Sequence, residues 1–205
     1  MTTLAELKHQ YTSPPSSPSW PAQGEWTYED YRRLPDDGWR YEVIRGRLYM
    51  SPAPRPRHQR AVGRLFMTIS RFVEERGLGE VYLAPIDVLL PGLASPVQPD
   101  LSFLREDRLA IVTEEAIEGA PDLVVEVLSR SNWLTDRRDK LEVYAQAGVP
   151  EYWIVDPDER TIEAFALRGQ SYDLVDKRGA GESVRSRVLA GLVVSIDEVL
   201  PARNP

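Results

Sequence analysis

Three carboxylates and one lysine stand where chemistry, rather than solvent, would call for them. Glu126 interrupts the apolar run Leu123, Val124, Val125, Val127 and Leu128. A lone carboxylate in a strand covered on both faces is costly unless it is paired or holds a metal ion. Asp100 leads into a second apolar run, Leu101 to Leu104, and Glu42 sits between Tyr41 and Val43 in a third. Lys140 follows Glu126 in a helix-like stretch, with Tyr144 one turn further on. Carboxylates converging from separate strands suit a hard divalent cation. A lysine beside them can neutralise a pentavalent phosphorus centre or orient a water.

The rest of the composition narrows that chemistry. Among 205 residues there is no cysteine, which excludes disulfides, thiolate catalysis and cysteine-ligated zinc. His9 and His58 are the only histidines, so a multi-histidine site is excluded too. A resident metal must take oxygen ligands, which suits Mg²⁺, Mn²⁺ or Ca²⁺. The net charge of -7 speaks against a general nucleic-acid coat but leaves room for a local basic groove. No apolar run reaches membrane-spanning length, and the N-terminus lacks the apolar core of a signal peptide. A cytoplasmic protein without a membrane partner is expected.

The elements that must position these residues centre on Pro121 to Asp156. Pro121 to Leu128 reads as a buried strand, Asn132 to Ala147 as a helix stopped by Gly148, and Glu151 to Val155 as a second buried strand. Two such strands joined by a helix form a crossover unit and should run parallel. Upstream, residues 1–25 are rich in Pro and Ser and read as a flexible tail, leaving 26–205 as one domain. Thr27 to Asp30 forms a capping box for a short helix. Trp39 to Ile44 and Arg47 to Met50 make a hairpin turned at Arg45-Gly46. Arg57 to Arg76 is an amphipathic helix with Val62, Leu65, Phe66, Ile69, Phe72 and Val73 on one face. Arg57, Arg60, Arg64 and Arg71 line another face, either as solvated surface or, for the first three, as phosphate contacts. Glu80 to Ala84, Ile86 to Leu90 and Leu101 to Leu104 read as strands, Pro91 to Pro96 as a loop, and Arg105 to Gly119 as a loop with a short helix. Thr161 to Leu167 with Tyr172 to Val175 gives a second hairpin, then Ser183 to Val188 a last strand and Ile196 to Leu200 a turn of helix.

At these residues the sequence resembles the PD-(D/E)XK nuclease superfamily and, within it, the family of restriction-endonuclease-like proteins called Uma-two. The matching stretches are YEVIRGRLY, QPDLSFL, PDLVVEVLSRS, DRRDK followed by Tyr144, and GVPEYWIVDP. They span roughly Tyr28 to Leu200. The resemblance implies an α/β fold: a restriction-endonuclease-like mixed sheet flanked by helices, with N-terminal and C-terminal β-hairpins. It implies Mg²⁺ or Mn²⁺ held by Asp100, Glu126 and the backbone carbonyl of Val127, and catalysis by Glu42, Asp100, Glu126 and Lys140. The superfamily pattern places a lysine two residues after the glutamate, where this chain has Leu128. In Uma-two-like proteins that lysine looks to have moved to the following helix, which here is Lys140.

Each residue also has a plainer role open to it. Glu126 could be satisfied by backbone or arginine, Asp100 could cap a turn, and Glu42 could pair with Arg40 or Arg47. Lys140 could be a surface lysine, Tyr144 core, and His58 a solvated ring. The functional expectation is a metal-dependent endonuclease acting on DNA. The alternatives are a nuclease-fold protein that binds nucleic acid without cutting it, and an oligomeric interaction module, with a homodimer the expected assembly.

Overall fold

The structure, a computed structural model, describes residues 20–129 and 135–202. The first element, helix α1 (Tyr28–Tyr31), carries the expected capping box between Thr27 and Asp30. Strands β1 (Arg40–Ile44) and β2 (Arg47–Ser51) form the N-terminal hairpin. Its turn residues Arg45 and Gly46 have φ of 50° and 70°, the backbone of a two-residue type I′ hairpin. Gly46 is required twice over, since a side chain there would also run into the carbonyl of Gly24. That approach comes from residues 20–25, read from sequence as part of the tail. The Gly24 N–H donates to the Gly46 carbonyl at 2.7 Å, and the Trp20 and Trp26 rings stack at 5.5 Å. Of the expected tail, residues 1–19 lie outside the described residues.

Helix α2 (Pro56–Glu74) follows, then β3 (Gly79–Leu83), β4 (Asp87–Leu90), β5 (Ala94–Val97) and β6 (Leu101–Arg105). Strand β5 corrects the loop expected over Pro91 to Pro96. Prolines argue against a strand because they donate no ladder hydrogen bond. Here β5 pairs with β4 through Ala94 and Val97 and leaves Pro96 in an irregular stretch between them. A 3₁₀ turn (Glu106–Ile111) and the short β7 (Ala116–Ile117) precede β8 (Leu123–Val127).

After β8 the expected helix is only partly regular. Residues 132–134 lie outside the described residues, Thr135–Lys140 is a π-helical turn, and α3 (Leu141–Ala147) is α-helical. Apolar periodicity over one or two turns does not distinguish i→i+4 from i→i+5 bonding, so the wide turn is invisible in the sequence. Gly148, at φ 85°, ends α3 as expected. Strands β9 (Glu151–Asp156), β10 (Thr161–Arg168), β11 (Ser171–Arg178), β12 (Ser183–Arg185) and β13 (Val193–Ser195) and helix α4 (Ile196–Val199) complete the chain.

Two sheets carry the architecture, in strand orders β11-β10-β9-β8-β6-β3 and β2-β1-β5-β4-β7, with β12 and β13 as a separate pair. β8 and β9 are parallel neighbours, Glu126 opposite Ile154, as the crossover requires. Alternation along β8 divides the core. Leu123, Val125 and Val127 pack under α2 with its Leu65, Ile69 and Val73. Val124 and Leu128 point the other way, into a cluster with Val143 and Tyr144 of α3 and Ile44 and Val88 of the second sheet. Glu126 therefore faces the layer between the two sheets, where an unpaired charge is least tolerable.

Candidate active site

Register places the site. β6 pairs antiparallel with β8 through Leu101↔Val125 and Phe103↔Leu123, so Asp100, just before β6, falls opposite Glu126. Leu101 and Phe103 face α2, so Asp100 falls on the same side as Glu126. Glu42, on β1 of the other sheet, comes in from across the interlayer. Lys140 and Tyr144 come from the π-turn and from α3, four residues apart and so stacked along one side.

The resulting network is buried. Glu126 is fully buried, Lys140 is 1% exposed, Asp100 2% and Glu42 5%. Lys140 Nζ lies 2.9 Å from Glu126 Oε1 and 2.9 Å from Glu42 Oε1. Tyr144 Oη donates to the same Glu126 Oε1 at 2.8 Å, and the Gln98 N–H donates to Glu42 Oε1 at 2.7 Å. Asp100 accepts from Arg40 Nη1 at 3.1 Å through one oxygen, and from the Val127 N–H at 2.8 Å through the other. His58 Nε2 lies 3.1 Å from that second oxygen. Lys140 is thus no surface lysine, and Glu42 pairs with it rather than with Arg40 or Arg47.

These contacts push the two strand carboxyls apart. Burial by itself would raise Asp100. The His58 hydrogen bond, the Arg40 charge and the Val127 N–H overcome it and hold the carboxyl at about 2. For Glu126 burial wins. It pushes the carboxyl up to about 7 against the pull of Lys140, with the charges of Asp100 and Glu42 adding to the rise. A carboxyl raised on folding from 4.5 to about 7 contributes stability that is complete below pH 4.5 and lost as pH rises through 7. Metal-free protein should accordingly lose about 3 kcal/mol of this contribution between those pH values. Urea unfolding with chelator at pH 5 and pH 8 should show the difference in wild type, and Glu126→Gln should flatten it.

A divalent cation finds one open donor here. Among the described residues Glu126 Oε2 is buried and has no hydrogen-bond partner, a cost that a bound cation would remove. Among the described residues no three His, Asp or Glu side chains close on one point as a ready-made cage. A set of two carboxylates and backbone would fit a hard cation that retains water. A cavity of about 890 Å³ opens beside the site and is lined by Asp100, His58, Arg40, Gln98 and Ser129; Glu126 and Lys140 are not part of its wall.

The arginine stripe of α2 divides. Arg57 pairs with Asp158, and Arg64 donates to the Glu198 carbonyl at 2.6 Å, while Arg60 is exposed. The sequence offered Arg40 only as a partner for Glu42, and gave Gln98 no role in the network. Gln98 bridges Arg40, Tyr31 and Asp87 through its side chain. The hint was the polar stretch Gln98-Pro99-Asp100 entering an apolar strand. Tyr144 and His58, for which core and solvated roles stood open, both touch the strand carboxylates.

The fold is shared with a crystallised protein from Anabaena variabilis described as a putative nuclease belonging to DUF820. The two superpose with a TM-score of 0.70 at 21% identity, over 85% of this chain and 97% of that one. No curated protein matches the chain. The family model described as "Uma2: Putative restriction endonuclease" matches residues 28–197, from α1 to α4 and through every residue of the network, and the chain belongs to that family.

Proposed function

We propose that the protein hydrolyses phosphodiester bonds in DNA with Mg²⁺ or Mn²⁺ held by Asp100, Glu126 and the backbone carbonyl of Val127. The observation that carries this reading is the partnerless buried Oε2 of Glu126, directly across the register from an ionised Asp100. When bound, the cation would act as a Lewis acid on the phosphate and acidify a water. Asp100 is kept ionised by Arg40, His58 and the Val127 N–H, so its charge is present at neutral pH. Lys140 and Tyr144 both hold Glu126 Oε1, which fixes the carboxylate plane and leaves Oε2 free. Lys140, the cation of the network, has the role of stabilising phosphate charge as it develops, with Glu42 as its second anchor.

The test is a supercoiled plasmid incubated with Mn²⁺ or Mg²⁺. Wild type should nick or linearise it, chelator should stop the reaction, and Asp100→Ala and Glu126→Ala should be inert. A wild type silent with both metals would give the lead to a binding module on a nuclease scaffold, the reading that Leu128 in the lysine slot favours. Of the three arginines proposed to contact phosphate, Arg60 is exposed and should report most cleanly. Arg60→Ala should flatten the log-log salt dependence of DNA binding by about 0.9. An unchanged slope would return it to solvated surface. For a homodimer the candidate surface is the outer edge of β2, where the Gln23 side chain holds the Leu48 backbone and Met50 beyond it is 52% exposed, and light scattering against concentration tests it.

A further inference from the structure

We propose that the cavity beside Asp100 receives an unpaired nucleotide of a DNA strand, its base stacked on Trp39 and its phosphate at the N-terminus of α2. This rests on the reading of Asp100 and Glu126 as a phosphodiesterase centre, and it specifies the form of substrate. At about 890 Å³ the cavity falls in the size range of sites that enclose a small molecule or a nucleotide.

Its wall has the wrong chemistry for a duplex and the right one for a single base. Trp39 lines it and is 47% exposed, the one tryptophan among its described lining residues, with Leu34, Pro35, Pro52 and Pro54 adding apolar surface. A duplex offers phosphates and groove edges, which gain little from such a wall. An unpaired base has a free π-face, and stacking on an aromatic ring favours any base.

A second observation lies at the start of α2. This helix of 19 residues begins with no side-chain cap on its first turn, and Arg55, His58 and Gln59 from that end line the cavity. His58 is 6% exposed, and its Nδ1 is buried without a partner among the described residues. Uncapped first-turn N–H groups, the helix dipole and an exposed Arg55 together suit a phosphate. Asp36 and Asp100 also line the cavity; the charge of Asp100 is met by Arg40 and His58, whereas Asp36 would repel a phosphate on the Trp39 side, so the strand's backbone belongs near Arg55.

The basic stripe points the same way. Arg57 and Arg71 are ion-paired and Arg64 is tied to the Glu198 carbonyl. Tight duplex binding leans on many free phosphate contacts, and a chain of net charge -7 with most of this stripe engaged has few to offer.

Fluorescence anisotropy of the full chain in chelator, where cleavage is blocked, tests the idea with labelled oligothymidylate and with a duplex of the same length. The single strand should bind about tenfold more tightly than the duplex. Trp39→Ala should weaken single-strand binding by about tenfold, and Trp39→Phe should keep most of it. Trp39 is exposed, so both variants should fold. Equal or better binding of the duplex, no binding of either, or an unchanged Trp39→Ala would overturn the proposal. Mn²⁺-dependent cleavage of the same oligothymidylate by the same preparation separates the two readings. Cleavage without a Trp39 effect sinks only the stacking cavity. Trp39-dependent strand binding without cleavage sinks only the phosphodiesterase.

Discussion

Lys140→Met should lower stability by about 3–5 kcal/mol at neutral pH and cut the rate of cleavage by about a hundredfold in whatever remains folded. From sequence alone a methionine looks safe there, because it keeps much of the length and the helix propensity. Burial changes the expectation. Lys140 is 1% exposed and its ammonium lies 2.9 Å from two carboxylates that are themselves buried. Removing it leaves Glu42 and Glu126 facing each other across a buried interlayer with, among the described residues, Tyr144 and the Gln98 N–H as donors. Breaking one side of a buried pair is far worse than never having had the pair. The loss should be partly repaired in Glu42→Gln/Lys140→Met, and at pH 5, where the raised Glu126 carboxyl takes up a proton. Urea midpoints by circular dichroism decide the stability half; a mutant that unfolds with wild type would show that the ion pairs carry no net weight. The rate half is read on the folded fraction with Mn²⁺, and an unchanged rate would remove Lys140 from the mechanism.

Glu126→Gln should abolish stabilisation by Mn²⁺. A ligand that binds only the native state at a concentration a hundred times its Kd adds about 2.7 kcal/mol. For a chain of this size that is a rise in Tm of about 5–10 °C. Gln keeps the shape of Glu126 and one oxygen to accept from Tyr144 and Lys140, so the variant should fold. What it loses is the charge on the atom left open to the interlayer, Oε2. Asp100 alone, already committed to Arg40, His58 and the Val127 N–H, offers too little to hold a cation. A thermal scan with and without Mn²⁺ checks this. Equal shifts in wild type and Glu126→Gln would place the metal elsewhere on the molecule.

Much of this architecture is local information. The parallel pair β8 and β9 follows from two apolar runs separated by a helix-length stretch, and the hairpin of β1 and β2 from a turn that tolerates positive φ at Arg45 and Gly46. Helix α2 follows from its apolar spacing, and Glu126 drew notice because a charge interrupts a strand. Such features depend on neighbours in sequence, so periodicity and turn chemistry reveal them. The strands β5 and β13 were missed for the converse reason: one contains a proline, the other is three residues long, and pairing alone makes them strands.

Tertiary structure decided which charges meet. Arg40, Gln98 and His58 reach Asp100 and Glu42 across 60, 56 and 42 positions of the chain, separations at which no sequence pattern operates. It decided that the α2 arginines differ, since Asp158 and Glu198, which engage Arg57 and Arg64, arrive from the C-terminal part of the chain. It also buries the lysine slot: Leu128 is 6% exposed within the apolar cluster of Val124, Val143 and Tyr152, where an ammonium would displace apolar packing. Lys140, the last residue of the π-turn before α3, lies between Glu42 and Glu126. A buried charge is tolerable only where opposite charges from other elements converge on it, and that convergence is a property of the packed layers.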